Sequence, residues 1–492
     1  MRGYLASSIG VACAAALALP LAAPQDVRAA VAAPAAESAG SVPGSTQSLP
    51  LGPLTSDRAA GGAPVQGLTR RDVRPFSLVG VVWDDPTAEL HGRVQVRTRA
   101  TGTGRWSDWQ DVDTHNQEHA ADLDSPERAG AKLRGSTAPL WVGDSDGVEI
   151  RVESAPAEPA TGHDHADHGP DQARQAPAGP GAGTGATGIT VQVSAPTTAE
   201  PATTVFASLP AGLRLELVDP GDDPPTASGP QADSAQAPAL SAEGAAASAV
   251  NADLAGLGAA VIPALTKEQT ENDLMESRGV VQAADSAQAR PYIGPRPRIV
   301  TRKGWGADEK LREKNFVYTK TVRAAFVHHS ATGNNYRCSQ APSLLRSIYR
   351  YHVKSSGWRD LGYNFAVDKC GNIYEGRAGG VAKPVMGAHT LGFNTNTTGI
   401  AVLGTYSKTN PPKAAVNAVA KLTAWKLGLH GGNPRGTTVM TSGGSNLYKK
   451  GTDVRLNVIS GHRDGFATEC PGGRLYSKLG TARKSSARYQ GR

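Results

Sequence analysis

Large aromatic side chains are scarce in this chain: 7 Phe, 7 Trp and 12 Tyr among 492 residues, 5% of the total. At 492 residues the chain is also too long for one ordinary core, and two or three domains are expected. Ala, Pro and Gly dominate before residue 296, and with 57 Gly and 34 Pro overall, part of that half reads as linker. Long apolar runs are also missing. Beyond the stretch from Ile9 to Ala23, no segment offers eighteen consecutive apolar residues, which excludes a membrane-spanning helix from the mature chain. Neither an interleaved aromatic platform nor a helix-turn-helix pattern accompanies the basic residues, so nucleic acid is not the expected partner.

Cysteine is equally sparse, with four in all. Residues 1–30 combine Arg2, the Ile9–Ala23 run and the small residues around Val27-Arg28-Ala29, and read as a secretory signal that takes Cys13 with it. Cys338, Cys370 and Cys470 remain, an odd number that invites one pair and one single. An oxidising exterior permits a Cys338–Cys370 disulfide and leaves Cys470 available to a metal. The product is expected outside the cell or on its wall.

The net charge of +7 hides a division: residues 296–492 hold 32 Lys and Arg against 9 Asp and Glu, whereas residues 1–295 hold 19 against 35. A basic exported module seeks an anionic partner, a cell-wall polymer among the options.

The expected architecture is α/β, a C-terminal domain with a mixed sheet flanked by helices, preceded by an all-β sandwich-like domain and a disordered linker. In residues, this gives a signal at 1–30, disorder at 31–70, the β-domain at 71–220 with a low-complexity insert at 155–187, a linker at 221–295, the α/β domain at 296–482 and a basic tail at 483–492. Alternating runs such as Phe76–Val82, Arg93–Arg97, Val148–Val152, Ile189–Val193 and Leu213–Leu217 are the β-domain's strands. Trp106 and Trp109 suit either sugar stacking or hairpin packing. His163, His165 and His168 fall in the insert, where no rigid metal shell is expected. Further on, Val322–His328 reads as a strand, Ser339 as the cap of a helix running to about Lys354, and Tyr363–Val367 with Ile373–Glu375 as a hairpin. Gly399–Gly404 reads as a buried strand, Pro411-Pro412 as the start of a second helix, and a third short helix follows Gly473.

Chemistry concentrates in Val327-His328-His329-Ser330 and in Gly461-His462-Arg463 with Thr468-Glu469-Cys470-Pro471-Gly472-Gly473. His328, His462 and Cys470 compose a three-ligand zinc set with one open position, since zinc favours imidazole nitrogen and thiolate sulfur. His329 points to the other face of an extended strand and reads as structural. Together with Gly357–Phe365, Tyr374-Glu375-Gly376-Arg377 and Gly387-Ala388-His389, these motifs resemble the peptidoglycan recognition protein and N-acetylmuramoyl-L-alanine amidase family over about residues 296–482. The resemblance implies a Zn2+ hydrolase that cuts the amide between N-acetylmuramic acid and L-alanine in peptidoglycan. It places the ligands on His328, His462 and Cys470, an oxyanion-stabilising tyrosine on Tyr363, and a muropeptide contact on His389. Thr468, counted with Tyr363 among the catalytic residues, stands where phage members carry a lysine. Residues 377–386 form a longer loop than in animal members. A non-catalytic recognition module is the alternative, and the presence of Cys470 weighs against it.

Overall fold

The computed structural model describes residues 44–54, 63–125, 128, 132–157, 205–223, 240–278 and 291–492. The expected signal at 1–30, most of the low-complexity insert with its three histidines, and the strand expected at Ile189–Val193 lie outside the described residues.

The N-terminal part is an antiparallel sheet in the order Thr46–Pro50, Arg214–Val218, Val65–Trp83, Leu140–Ser154, Gly92–Ala100, Gln110–Val112, with two short strands added at the long central one. The strand Val65–Trp83 carries an unbroken buried run from Phe76 to Trp83 instead of an alternating one. Side chains alternate across a strand, so a run buried on both faces needs two covers. Val79, Val81 and Trp83 enter the β-domain's own core, while Leu78 and Val82 join a second cluster with Leu344, Leu345 and Ile348 of the helix Ala341–Arg350. Gly80 lies between them because a Cβ there would come within 2.4 Å of the Tyr351 hydroxyl. Trp106 and Trp109 pack under arginines, Arg70 over the first and Arg97 and Arg151 over the second, which accounts for both rings as packing.

The C-terminal part has a mixed seven-stranded sheet in the order Ile459–Gly461, Ala324–His329, Thr397–Val402, Phe365–Val367, Ile373–Glu375, Ile299–Val300, Val261–Ile262. Neighbouring pairs are parallel except at Phe365–Val367 with Ile373–Glu375 and at the last pair. Helices cover it, among them Ala341–Arg350 and Lys413–Leu429, the latter starting after Pro411 and Pro412 as their ring geometry favours. Cys338 and Cys370 form the disulfide.

Four sequence expectations need correcting. Thr46–Pro50, placed by composition in a disordered segment, is an edge strand paired with Arg214–Val218. Residues 240–278, assigned to a linker for want of large apolar side chains, fold as the helices Ala242–Ala249 and Lys267–Ser277 with the strand Val261–Ile262 between them. Local capping compensates for the small core: Ser241 accepts from Gly244 N, Thr266 and Gln269 cap reciprocally, and Asn251 donates to Glu375 across the domain. The basic tail is part of the helix Leu479–Gln490, whose Leu479, Ala482 and Ala487 are buried. Ser339 is not the cap; Cys338–Gln340 is a 3-10 turn that leads directly into the helix, which changes at Tyr351–Ser355 into a wider turn.

The two parts are continuous in one compact unit spanning Ser41–Arg492. Tyr351 donates to the carbonyls of Val81 and Thr137 at 3.3 and 3.1 Å, Ser355 donates to Glu216 at 2.8 Å, and Trp141 N donates to Thr332 O at 3.1 Å. These bonds satisfy polar groups that the shared apolar cluster would otherwise strand away from water.

Candidate metal centre

The strand Ala324–His329 lies second from one edge of the sheet, paired on both sides and buried along its length, so its last two residues emerge at a fixed place and orientation. His328 is fully buried, and His329 faces the opposite side, where its Nδ1 accepts from Tyr406 N at 3.2 Å. On the adjacent parallel strand, Ile459–Gly461 delivers His462 to the same end of the sheet. A Cβ at Gly461 would fall 2.7 Å from the Tyr476 ring, so glycine lets the chain turn there. The loop then folds back: Asp464 accepts from Gly461 N and Tyr476, and Arg463 N donates to Cys470 O at 3.0 Å. This closure returns Cys470 to the histidines eight residues after His462.

The structure brings His328, His462 and Cys470 together, and it adds a residue from the β-domain, His119. Their donor atoms all lie within 4.8 Å of one another and all four residues are buried. Cys470 Sγ is 3.7 Å from His119 Nε2 and 3.8 Å from His328 Nδ1. The rings of His119 and His328 each lie with their centroid 4.5 Å from that of His462. Burial, together with the neighbouring imidazoles, holds His328 and His462 well below the ordinary histidine range. Burial first, with His329 nearby, lowers His119 to about 3, and burial first, with Glu118 and Asp113 nearby, pushes the Cys470 thiol well up. Neutral imidazoles with free lone pairs are what a cation needs, and the thiol becomes a ligand only when a cation replaces its proton. Both ring nitrogens of His462 and Nδ1 of His119 are buried without a well-formed hydrogen bond, although the Glu118 carbonyl lies beside His462. Orphaned polar atoms of this kind cost about 1–3 kcal/mol each unless something binds them. The cluster is a candidate metal centre.

The remaining predicted residues surround it. Tyr363 packs its ring against His328 at 5.5 Å and against His119 at 5.8 Å, with burial holding its hydroxyl protonated. Thr468 accepts from Cys470 N at 3.0 Å and donates to Glu118 at 2.8 Å. His389, expected in an open substrate groove, is instead fully buried behind His328: its Nδ1 lies 3.3 Å from His328 Nε2 and 3.0 Å from Thr390 Oγ. Gly399 makes room for it, since a Cβ there would meet the His389 ring at 2.3 Å. Glu118 and His119 went unread in the sequence. The one local signal was the density of Asp113, His115, Glu118 and His119 in a loop between strands.

Residues 318–473 match the N-acetylmuramoyl-L-alanine amidase family model, and residues 32–182 match the Rv3811 N-terminal galactose-binding domain-like model. Peptidoglycan-recognition protein SC2 of Drosophila simulans is 30% identical over 185 residues, 37% of this chain and 85% of that protein. The chain belongs to the peptidoglycan-recognition protein and amidase family. Another relative in that family, human N-acetylmuramoyl-L-alanine amidase, is 30% identical over 190 residues, 38% of this chain and 28% of that protein. A solved structure of peptidoglycan recognition protein-LE in complex with tracheal cytotoxin is 29% identical, with 37% of this chain and 92% of that one covered at a TM-score of 0.30. Family membership supports peptidoglycan binding or amidase activity for this chain. No helix among the described residues is long and apolar enough to cross a membrane.

Proposed function

We propose that the chain is an exported zinc-dependent N-acetylmuramoyl-L-alanine amidase that hydrolyses the lactyl amide joining N-acetylmuramic acid to L-alanine in peptidoglycan. The observation that carries this reading is the convergence of His328, His462 and Cys470 on one buried point. In a tetrahedral zinc site, bonds of about 2.3 Å to sulfur and 2.0–2.1 Å to nitrogen put sulfur and nitrogen about 3.6 Å apart. The Cys470–His328 separation of 3.8 Å fits that edge. Export is supported by the Cys338–Cys370 disulfide, a bond of oxidising compartments.

His328, His462 and Cys470 would hold the ion, which when bound supplies Lewis acidity toward an amide carbonyl. The chain's own residues do the rest. Tyr363, protonated at neutral pH and beside His328, donates to the oxygen on which charge develops. His389 fixes the rotation of His328 from behind. Thr468, two residues before Cys470, accepts from Cys470 N and so fixes the loop beside the thiol. In this structure its hydroxyl donates to the Glu118 carboxyl.

Purified protein incubated with defined muropeptides, with and without chelator, tests the reading by mass spectrometry. Release of intact stem peptides that stops on chelation and is absent in Cys470→Ala is expected. Undiminished release by a zinc-loaded Cys470→Ala protein would overturn it.

A further inference from the structure

The segment Asp113–Asp124 leaves the β-domain after the strand Gln110–Val112 and crosses the end of the amidase sheet. Asn116, Glu118, His119, Ala121 and Asp122 are all buried there. Its contacts with the amidase part are those of a bound acidic peptide. Leu391 N donates to the Glu118 carbonyl at 2.9 Å, Gly392 N donates to the Asp122 carboxylate at 2.7 Å, and Asn394 donates to both the Ala120 carbonyl and Asp122 at 2.8 Å. Thr468 donates to the Glu118 carboxyl at 2.8 Å, and Lys450 pairs with Asp124. Two backbone carbonyls and two buried carboxyl groups thus occupy the donors that ring the metal centre.

Within this segment His119 lies among all three proposed ligands and the tyrosine. Its Nε2 is 3.7 Å from Cys470 Sγ, close to the tetrahedral sulfur–nitrogen edge of about 3.6 Å. Its ring centroid lies 4.5 Å from that of His462, 5.2 Å from that of His328 and 5.8 Å from that of Tyr363. A catalytic zinc keeps one coordination position open, whereas a four-ligand zinc is closed. We propose that His119 is the fourth ligand and that Asp113–Asp124 is an intramolecular pseudo-substrate, so that the chain folds as a latent hydrolase whose site opens when this segment withdraws. The inference rests on zinc at His328, His462 and Cys470.

The test uses the full chain loaded with Co2+, whose visible spectrum reports ligand type and number, alongside zinc affinity by chelator competition. Wild type is expected to show a sulfur-to-cobalt band, a closed four-ligand spectrum and no response to azide. His119→Ala should keep the sulfur band, lose zinc affinity about tenfold or more, bind azide at the freed position, return toward the wild-type spectrum with added imidazole, and hydrolyse muropeptides faster. Asp122→Ala, which releases two anchoring bonds but keeps His119, should also admit azide. A His119→Ala protein with wild-type spectrum and affinity overturns the ligand assignment. An Asp122→Ala protein as closed to azide as wild type overturns the role of these anchors in holding the segment in place. A sulfur band that persists in Cys470→Ala overturns the underlying zinc site instead, so the two failures are distinguishable.

Discussion

Removing His389 separates two roles for a buried residue of the centre. The ring is fully buried, 3.3 Å from His328 Nε2, 3.0 Å from Thr390 Oγ and 3.4 Å from Thr397 Oγ, and its backbone N–H donates to Asn394. His389→Ala deletes those side-chain partners and leaves a cavity beside Phe326, whose ring centroid is 6.2 Å away. Large-to-small changes in such places cost about 2–4 kcal/mol. At about 2–4 °C per kcal/mol for a domain of this size, the melting temperature should fall by roughly 4–15 °C. Loss of an outer partner of a metal-ligating histidine should lower zinc affinity about 10–100-fold. Gly399→Ala attacks the same contact from the other side, placing a carbon 2.3 Å from the His389 ring at a cost of about 1–3 kcal/mol. Zinc affinity by chelator competition and KM on a muropeptide are the paired assays. Both variants should weaken zinc binding, with KM nearly unchanged once zinc is saturating. Wild-type zinc affinity with a raised KM in His389→Ala would refute the positioning role and return the residue to substrate contact.

Three further outcomes are expected. Tyr351→Phe leaves the Val81 and Thr137 carbonyls without their shared donor inside the joint core, and should cost about 1–3 kcal/mol in urea unfolding followed by fluorescence. Lys426 is buried, with its ammonium donating to Val381 O and Lys383 O, and burial lowers it from 10.5 to about 7. Between pH 7 and 10.5 the unfolded chain holds a proton that the folded chain lacks, so stability rises with pH by at most about 1.4 kcal/mol per unit in that window and is flat below it; Lys426→Met should abolish the slope in melts from pH 7 to 9. Replacing Cys338 and Cys370 by serine opens a loop of 32 residues' separation and should cost about 3–4 kcal/mol by chain-entropy reasoning, read as a lowered urea midpoint.

What was legible in the sequence was local. The apolar run Val322–Val327 announced a buried strand, and a histidine at its end is positioned by that strand alone. Ligand chemistry at His328, His462 and Cys470 follows from residue type, with the loop closure held by bonds between near neighbours such as Arg463 and Cys470. The unread parts depend on contacts between distant segments. His119 meets Cys470 across a separation of 351 residues, and the titratable residues clustered around it in the loop do not say which distant segment they face. The burial of His389 depends on Gly399 in the next strand, and residues 240–278 fold because Asn251 reaches Glu375. A composition count registers the shortage of large apolar groups there but not the polar bonds that replace them.

The charge division takes on a different meaning in three dimensions. Read along the chain, a C-terminal part with 32 basic and 9 acidic residues points outward to a polyanion. In the fold, some of that charge is already met from within: Lys450 pairs with Asp124 and Arg346 with Asp223, both acids lying before residue 296. The exposed Lys450–Asp124 pair contributes little to stability and is screened by salt. It lies at the end of the segment that crosses the metal centre. Two acids from before residue 296, Asp124 and Asp223, therefore neutralise part of the basic surface from within the chain.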